Sequence, residues 1–384
     1  MCSLLAELRM KRIHAITFLN FFISGGLTLV IPLLLLERNI DLVEIGLVIS
    51  VLPLVFLIAR LLIALIADLR GWNRFYLLLN WPSSLLSSVI YFIASSTPIF
   101  LVGKIVEALK ESSYWAVNRT AIFSLSPKRE EKEATRNTGV LFLSTAVGSV
   151  VSGFALSYFG FSITLGLLIV VAGAIGFPAV LLWKSANRGS ELKAARIRGL
   201  FKLGSYGRKF WFVSMTLLFF GLAYYPLLNL LLPVFMAQQL GYSYISIGVA
   251  YMLFNIIAAT IVFGALRFSL GAKRVILQSG IAMFALLLLT YSNSYFLGMF
   301  LALAVAEGLG MGFFESIIAK ATKKKPSVSV DIGLLHIPYR LAEFASLLYA
   351  GFIAQTIGFF PVFIASGIFF TIFSVLALYL LKSG

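Results

Sequence analysis

Long apolar stretches separated by short polar interruptions fill almost the whole chain. A bilayer crossing takes about 20 mainly apolar residues at 1.5 Å each, and twelve stretches qualify. Spans 1 to 6 are predicted near residues 13–36, 43–67, 75–96, 98–122, 137–159 and 161–183, and spans 7 to 12 near 210–238, 243–266, 275–292, 294–319, 330–357 and 359–382. The interruptions alternate in character. On one side they are short and almost uncharged, such as SSTP at 95–98 and GFS at 160–162. On the other they are basic, the longest being KSANRGSELKAARIRGLFKLGSYGRK at 184–209.

The pattern repeats. ALIADLRGWNR at 64–74, between spans 2 and 3, returns as GALRFSLGAKR at 264–274, with Gly71 set against Gly271 and Asp68 against Phe268. PLLLLERNIDLVEIGLVIS from Pro32 parallels PVFMAQQLGYSYISIGVAY from Pro233. VEAL at Val106 parallels AEGL at Ala306, which sets Glu107 against Glu307. Matches at offsets of about 200 positions point to an internal duplication. The expectation is an all-α integral membrane protein with twelve transmembrane helices in two pseudo-symmetric six-helix bundles: residues 1–183, a basic cytoplasmic linker 184–209, and residues 210–384. Part of the linker either lies on the membrane face as an amphipathic helix held by anionic lipid or is a plain connection.

Composition supports lipid as the solvent. Hydrophobic residues make up 60% and charged residues 12%, with a mean hydropathy of +0.99, against about 25% charged in soluble domains. The net charge of +16 raises nucleic acid as a partner, but position decides against it. Sorted by these spans, the basic residues fall almost wholly on one side; the other has Arg38 alone, and Arg60, Lys104, Lys110 and Arg340 lie inside spans. Basic loops stay cytoplasmic, so both termini are expected there, in a multi-pass protein of the cell membrane. Cys2 is the single cysteine, and His14 and His336 are the only imidazoles, so no metal and no cofactor is expected. The N-terminus has no signal-peptide pattern. Nucleophile triads, HExxH and phosphate-cradling loops are missing too, so the chain is not read as an enzyme.

Ionisable side chains within spans are costly unless paired or wet, and so are functional candidates. Span 4 carries Lys104, Glu107 and Glu111 at i, i+3, i+7. Trp115 and Asn118 continue that stripe, and Lys110 beside it can reach Glu107. Span 11 carries His336, Arg340 and Glu343, and span 10 Glu307 and Glu315. Depths of about 18 Å for Glu307 and 15 Å for Arg340, from opposite surfaces, let these two pair. Two readings stay open: Lys104 with Glu107, and Arg340 with Glu307 or Glu343, as neutralised pairs holding the fold, or a substrate and proton pathway. On the second, Glu107, Glu111 and Glu307 are the proton-coupling candidates. Lys104, Lys110 and Arg340 then attract an anionic or zwitterionic solute. Arg60 is expected to snorkel to the membrane surface, and His14 to be solvated near it. Span 7 is uncharged but holds Gly221, Tyr224, Tyr225, Pro226, Asn229 and Pro233; its prolines should kink it and free carbonyls to line a cavity. Asn20, Gly25, Gly26 and Pro32 are the counterparts in span 1. Tyr224, Tyr225 and Trp115 serve equally as packing aromatics.

Two six-helix halves, inside termini and a basic middle loop resemble the major facilitator superfamily of secondary transporters, over the whole chain. Its signature between the second and third helices, Gly-x-x-x-Asp-Arg/Lys-x-Gly followed by basic residues, is matched by Asp68, Gly71 and Arg74, with Ala64 and Leu69 departing from it. Its fourth-helix signature is similar to Gly103-Lys104-Ile105-Val106-Glu107-Ala108, with Lys104 in place of arginine. Its antiporter signature Gly-Pro-x-x-Gly-Gly resembles Gly148-Ser149-Val150-Val151-Ser152-Gly153 without the proline, a stretch that also suits close helix packing. The resemblance implies that spans 1, 4, 7 and 10 face a central cavity. A carboxylate at a helix end can accept from exposed amides or pair with arginine, so Asp68, Gly71, Arg74 and Arg119 are expected to form a conformational latch. The function expected is secondary active transport of a small polar or charged solute by alternating access, coupled to protons, in a monomer. The alternative is a membrane-embedded binding or signalling protein of the same fold.

Overall fold

The computed structural model describes residues 2–126, 130–183, 207–267, 280–282, 295–322 and 333–382. Among these residues every regular element is helical. Span 9, apart from 280–282, the second copy of the repeat at 268–274, and residues 184–206 of the expected linker lie outside them. The helices overrun the apolar stretches that nucleate them. Span 1 is a helix over Cys2–Glu37, span 2 over Leu42–Arg70 and span 4 over Thr97–Leu125. Spans 8, 10, 11 and 12 occupy Tyr244–Arg267, Phe296–Thr322, Ile337–Thr356 and Phe359–Lys382.

The turns follow local chemistry. Asp41 caps span 2 through its side chain, which accepts from the Glu44 amide at 2.7 Å, and Gly71 ends the same helix at φ 88°. No loop separates spans 5 and 6. One helical run over Glu130–Ala174 is broken at Gly160 (φ 74°, ψ −177°) and continues through Gly176–Trp183. A left-handed φ is cheap for glycine alone, so one residue replaces the three-residue turn expected at 160–162.

Spans 3 and 7 share a device. Each contains a π turn, Tyr76–Asn80 and Leu227–Leu231, whose closing amides, Trp81 and Leu232, donate five residues back. In both, the next residue is a proline, Pro82 or Pro233. Without an N–H, proline cannot continue the ladder, and the widened turn accommodates its ring. In span 7 the freed carbonyls do not line a cavity as expected. Tyr349 OH donates to Leu222 O, four residues before Pro226, at 3.3 Å. Tyr251 OH donates to Leu228 O, the π partner that Pro233 lacks, at 2.7 Å. Buried carbonyls without water must find such donors.

Polarity is inverted relative to a soluble protein. Ile58, Leu78, Val170 and Phe177 are 59%, 61%, 70% and 74% exposed, while Lys104, Glu107, Lys110, Glu307 and Glu343 are buried. Such a surface belongs in lipid. Seven of the described helical runs are long and apolar enough to cross a membrane, and Arg136–Trp183 is long enough for two crossings. Span 4 is not among them, because Lys104, Glu107, Lys110 and Glu111 make it too polar by composition.

Span 1 lies along span 5, span 2 between spans 4 and 11, and span 5 also against span 8. Glycines set these seams. An added Cβ at Gly148 would sit 2.1 Å from Phe22 O, and one at Gly25 2.4 Å from Thr145 O, so the stretch 148–153 packs helices at backbone contact.

Candidate functional site

Span 4 supplies the charged axis. Its i, i+3 spacing places Lys104 Nζ 2.7 Å from Glu107 Oε2, which also accepts from Tyr91 OH at 2.6 Å. The ammonium lies 5.6 Å from the centre of the Tyr91 ring. Lys104 and Glu107 are each 5% exposed, so a cation and a phenol replace the water this carboxylate has lost.

One turn along, Lys110 turns to Glu111 rather than to Glu107. Its Nζ donates to Ser24 Oγ at 2.8 Å and lies 3.0 Å from Glu111 Oε1. Ser24 Oγ donates to the same oxygen at 2.7 Å, and Trp115 Nε1 to the other at 3.2 Å. Beneath, Asn20 and Asn80 exchange amide bonds at 2.9 and 3.2 Å, and Asn80 donates to Lys110 O at 3.1 Å. The stripe ends at Asn118, buried and bonded by Tyr76 OH at 3.1 Å. Spans 1, 3 and 4 are thus joined by a polar network in which each lysine has its own glutamate.

Span 11 holds a third ion pair. Arg340 Nη1 bonds Glu343 Oε2 one turn away and Tyr225 OH at 3.2 Å; Tyr339 OH donates to Tyr225 OH at 2.7 Å. The expected pairing of Arg340 with Glu307 is not formed. An i, i+3 partner on the same helix needs no match of depth between helices, and it wins. Glu307, 2% exposed, has the Tyr224 hydroxyl as its hydrogen-bonding neighbour. Adjacent helical residues point about 100° apart, so Tyr224 serves Glu307 while Tyr225 serves Arg340.

A cavity of about 50 Å³ lies among spans 1, 2, 4, 7 and 11. Its polar lining is Thr28, Lys104, Glu107, Asn229 and Glu343, with Pro32 and Pro53 among the apolar walls. Residues from before and after the expected linker therefore meet in one space. Span 2 and span 11 take part, and span 10 contributes nothing to this lining, against the expected 1, 4, 7, 10 arrangement. Lys110, Glu111, Trp115, Tyr224, Tyr225 and Arg340 stand behind this lining rather than in it.

At the end of the cavity facing the short loops, both seams close on backbone. An added Cβ at Gly351 would meet Leu42 O at 2.3 Å and Gly46 Cα at 3.3 Å. One at Gly153 would meet Tyr244 O at 2.6 Å and Gly248 Cα at 3.0 Å. Polar bonds tie the same end: the Leu42 amide donates to Gln355 Oε1 at 2.9 Å, Ile245 N to Ser157 Oγ at 3.1 Å, and Tyr244 OH to Glu37 Oε2 at 3.3 Å.

Other expectations need correction. His14 is not solvated: it is 9% exposed, its Nδ1 is 3.3 Å from Asn137 Oδ1 and its Nε2 3.5 Å from Glu133. Arg60 does not snorkel; it is 9% exposed. His336 stands just before the helix Ile337–Thr356, against the rings of Phe314 and Tyr339. Arg74 lies over Trp183, its guanidinium carbon 6.0 Å from the ring centre, and Arg119 is among the charges around Arg60. The side chains of Asp68 and Glu315 lie outside the described residues. Tyr91, Ser24, Phe56 and Tyr339 were not foreseen. Of these, only Tyr339 had a signal in the sequence, adjacency to Arg340; the others become visible when helices pack.

A family model described as Major Facilitator Superfamily matches residues 13–284. A curated relative, a probable sugar efflux transporter of Haemophilus influenzae, is 23% identical over 280 residues, covering 70% of this chain; the chain spans 63% of that relative's length. Among solved structures, a D-xylose-proton symporter superposes with a TM-score of 0.71 at 15% identity, over 98% of this chain and 97% of the other. The nucleoside transporter NupG gives 0.71 at 11% identity, over 97% and 99%. These likenesses show the fold, an all-helical membrane architecture.

Proposed function

The chain belongs to the major facilitator superfamily, a multi-pass membrane transporter, and from that premise we propose that it moves a small polar or charged solute by alternating access, coupled to protons. Residues 1–183 and 210–384 are the two bundles that rock around the cavity, and the basic loops face the cytoplasm. The observation that carries this reading is the cavity itself: Lys104 and Glu107 from one half meet Asn229 and Glu343 from the other in one buried space. An inert fold would fill that space with apolar side chains, which cost less to bury.

Glu307 is the strongest of the three proton-coupling candidates. Glu107 and Glu111 each keep a lysine within 3.0 Å, whereas the neighbour of Glu307 is a phenol. A buried carboxyl whose neighbour is a phenol rather than a cation is costly to hold in the bilayer and is a functional candidate for that reason. The sugar efflux and proton symporter names of the relatives support a hydroxylated solute and a proton couple.

The test uses purified full-length protein in liposomes with an imposed pH gradient and an internal pH dye, against a panel of neutral and acidic sugars. Solute addition is expected to dissipate the gradient, and Glu307→Gln to leave solute exchange while abolishing proton movement. Flux insensitive to a protonophore would remove the coupling, and no flux of any solute would favour the binding-protein alternative.

A further inference from the structure

Arg60 is a buried charge that these three ion pairs leave out. It sits ten residues, about 15 Å, from the basic end of span 2 at Arg70, too deep to reach the surface, and is 9% exposed. Among the described residues no carboxylate pairs with it. Among the described residues the charged groups facing it are Arg340 of span 11 and Arg119 of span 4, both positive, with the Tyr225 phenol nearby. Arg60 rests against Phe56, one turn away, its guanidinium carbon 5.6 Å from the ring centre; Arg340 lies on the same ring at 4.0 Å. The two guanidinium carbons are therefore within about 10 Å of each other, the most that these distances to one ring allow. Arg340 is also incompletely used. Its Nη1 serves Glu343 and Tyr225, while its buried Nε has no partner.

Arg340 has Glu343 as its counter-ion, but Arg60 has none among the described residues, and a buried cation facing other cations is repelled and has lost its water. Such an arrangement persists where an anion completes it. We propose that Arg60 and Arg340, joined across spans 2 and 11 by the Phe56 ring, bind the carboxylate or phosphate of an acidic, sugar-sized solute. Each guanidinium offers a planar fork suited to two oxygens, and the pair of Arg340 with Glu343, which lines the cavity, links the anion to the transport space. A neutral sugar would leave Arg60 uncompensated. The solute thus differs in charge from what the name of the curated relatives suggests. The inference rests on the transport reading only in calling the anion a solute; the contact itself can be tested without transport.

The experiment measures thermal unfolding of the purified full-length protein in detergent with glucuronate, glucose 6-phosphate, inorganic phosphate or glucose, at matched ionic strength in sodium chloride. At least one of the three anions at millimolar concentration is expected to raise the midpoint by several degrees, and glucose not to. Glucuronate against glucose 6-phosphate separates carboxylate from phosphate, and inorganic phosphate shows whether the sugar is needed. Arg60→Met is expected to weaken the anion response at least tenfold and to raise the midpoint without ligand, because it removes an unpaired buried charge; a misfolded variant would do the opposite. Arg60→Lys, which keeps the charge and loses the fork, is expected to be intermediate. Stabilisation by glucose alone, no response to any of the three anions, an unchanged response in Arg60→Met, or a lower ligand-free midpoint in that variant would each overturn the proposal. Anion binding without flux in liposomes would refute transport and spare this site; glucose flux without anion binding would refute this site and spare transport.

Discussion

Gly351→Ala is the sharpest probe of how the chain alternates. The new Cβ would lie 2.3 Å from Leu42 O, 3.2 Å from its carbonyl carbon and 3.3 Å from Gly46 Cα. Carbon–oxygen contacts relax near about 3.3 Å, so spans 2 and 11 must separate by roughly 1 Å at this end, and backbone cannot swing aside as a side chain can. Overpacking of this kind costs roughly 1–3 kcal/mol. The penalty applies only while the seam is closed, so a conformation with the seam parted gains about 5 to 150-fold in relative population. The assay places one cysteine at Thr28, which lines the cavity, in a Cys2→Ser background, and labels it with an impermeant maleimide from the side of the short loops. Labelling is expected to rise in Gly351→Ala, and likewise in Gly248→Ala at the other seam. It should stay unchanged in Gly173→Ala, where nothing lies within 4 Å of the new atom. Parental labelling in Gly351→Ala with unaltered thermal stability would refute the reasoning, because the seam would then not hold the closed state.

Three further substitutions probe separate contacts. Lys104→Met strands the Glu107 carboxylate beside Tyr91 and is expected to destabilise the protein by about 3–5 kcal/mol, with Lys104→Met/Glu107→Gln recovering most of it in denaturant titrations. Tyr349→Phe leaves the Leu222 carbonyl without a donor, at a cost of about 1–3 kcal/mol. Thermal unfolding should show that cost reduced when Pro226→Ala restores the amide. Asp68→Asn is expected to shift the balance away from the state open towards the short loops; equal cavity-cysteine accessibility from both sides before and after the change would sink the latch.

The pairing of charges shows where sequence reasoning reaches its limit. Lys104 with Glu107 was legible because both lie on one helix, where 3.6 residues per turn fix their approach. The same rule favoured Arg340 with Glu343, yet equal depth made Glu307 look just as good. Depth is one coordinate, and contact also requires that helix rotation and neighbours agree. Arg60 was misread for the same reason: distance from a helix end suggested an escape to the surface, and the packing of span 11 over Phe56 closes it.

The chain by itself determined its solvent, its helical class, its repeat and the residues that carry charge into the bilayer, since each depends on composition or on periodicity along one axis. It also marked the glycines and prolines at which helices touch or break. Tertiary structure alone decided what those marks do. It set Gly46 against Gly351 and Gly153 against Gly248 at backbone distance, gave Lys110 to Glu111 through Ser24, turned Tyr224 and Tyr225 to different partners, and left Arg60 facing Arg340. The physical reason is that a buried charge is priced by everything within a few ångströms, and in a helical bundle most of those neighbours come from segments far away in sequence.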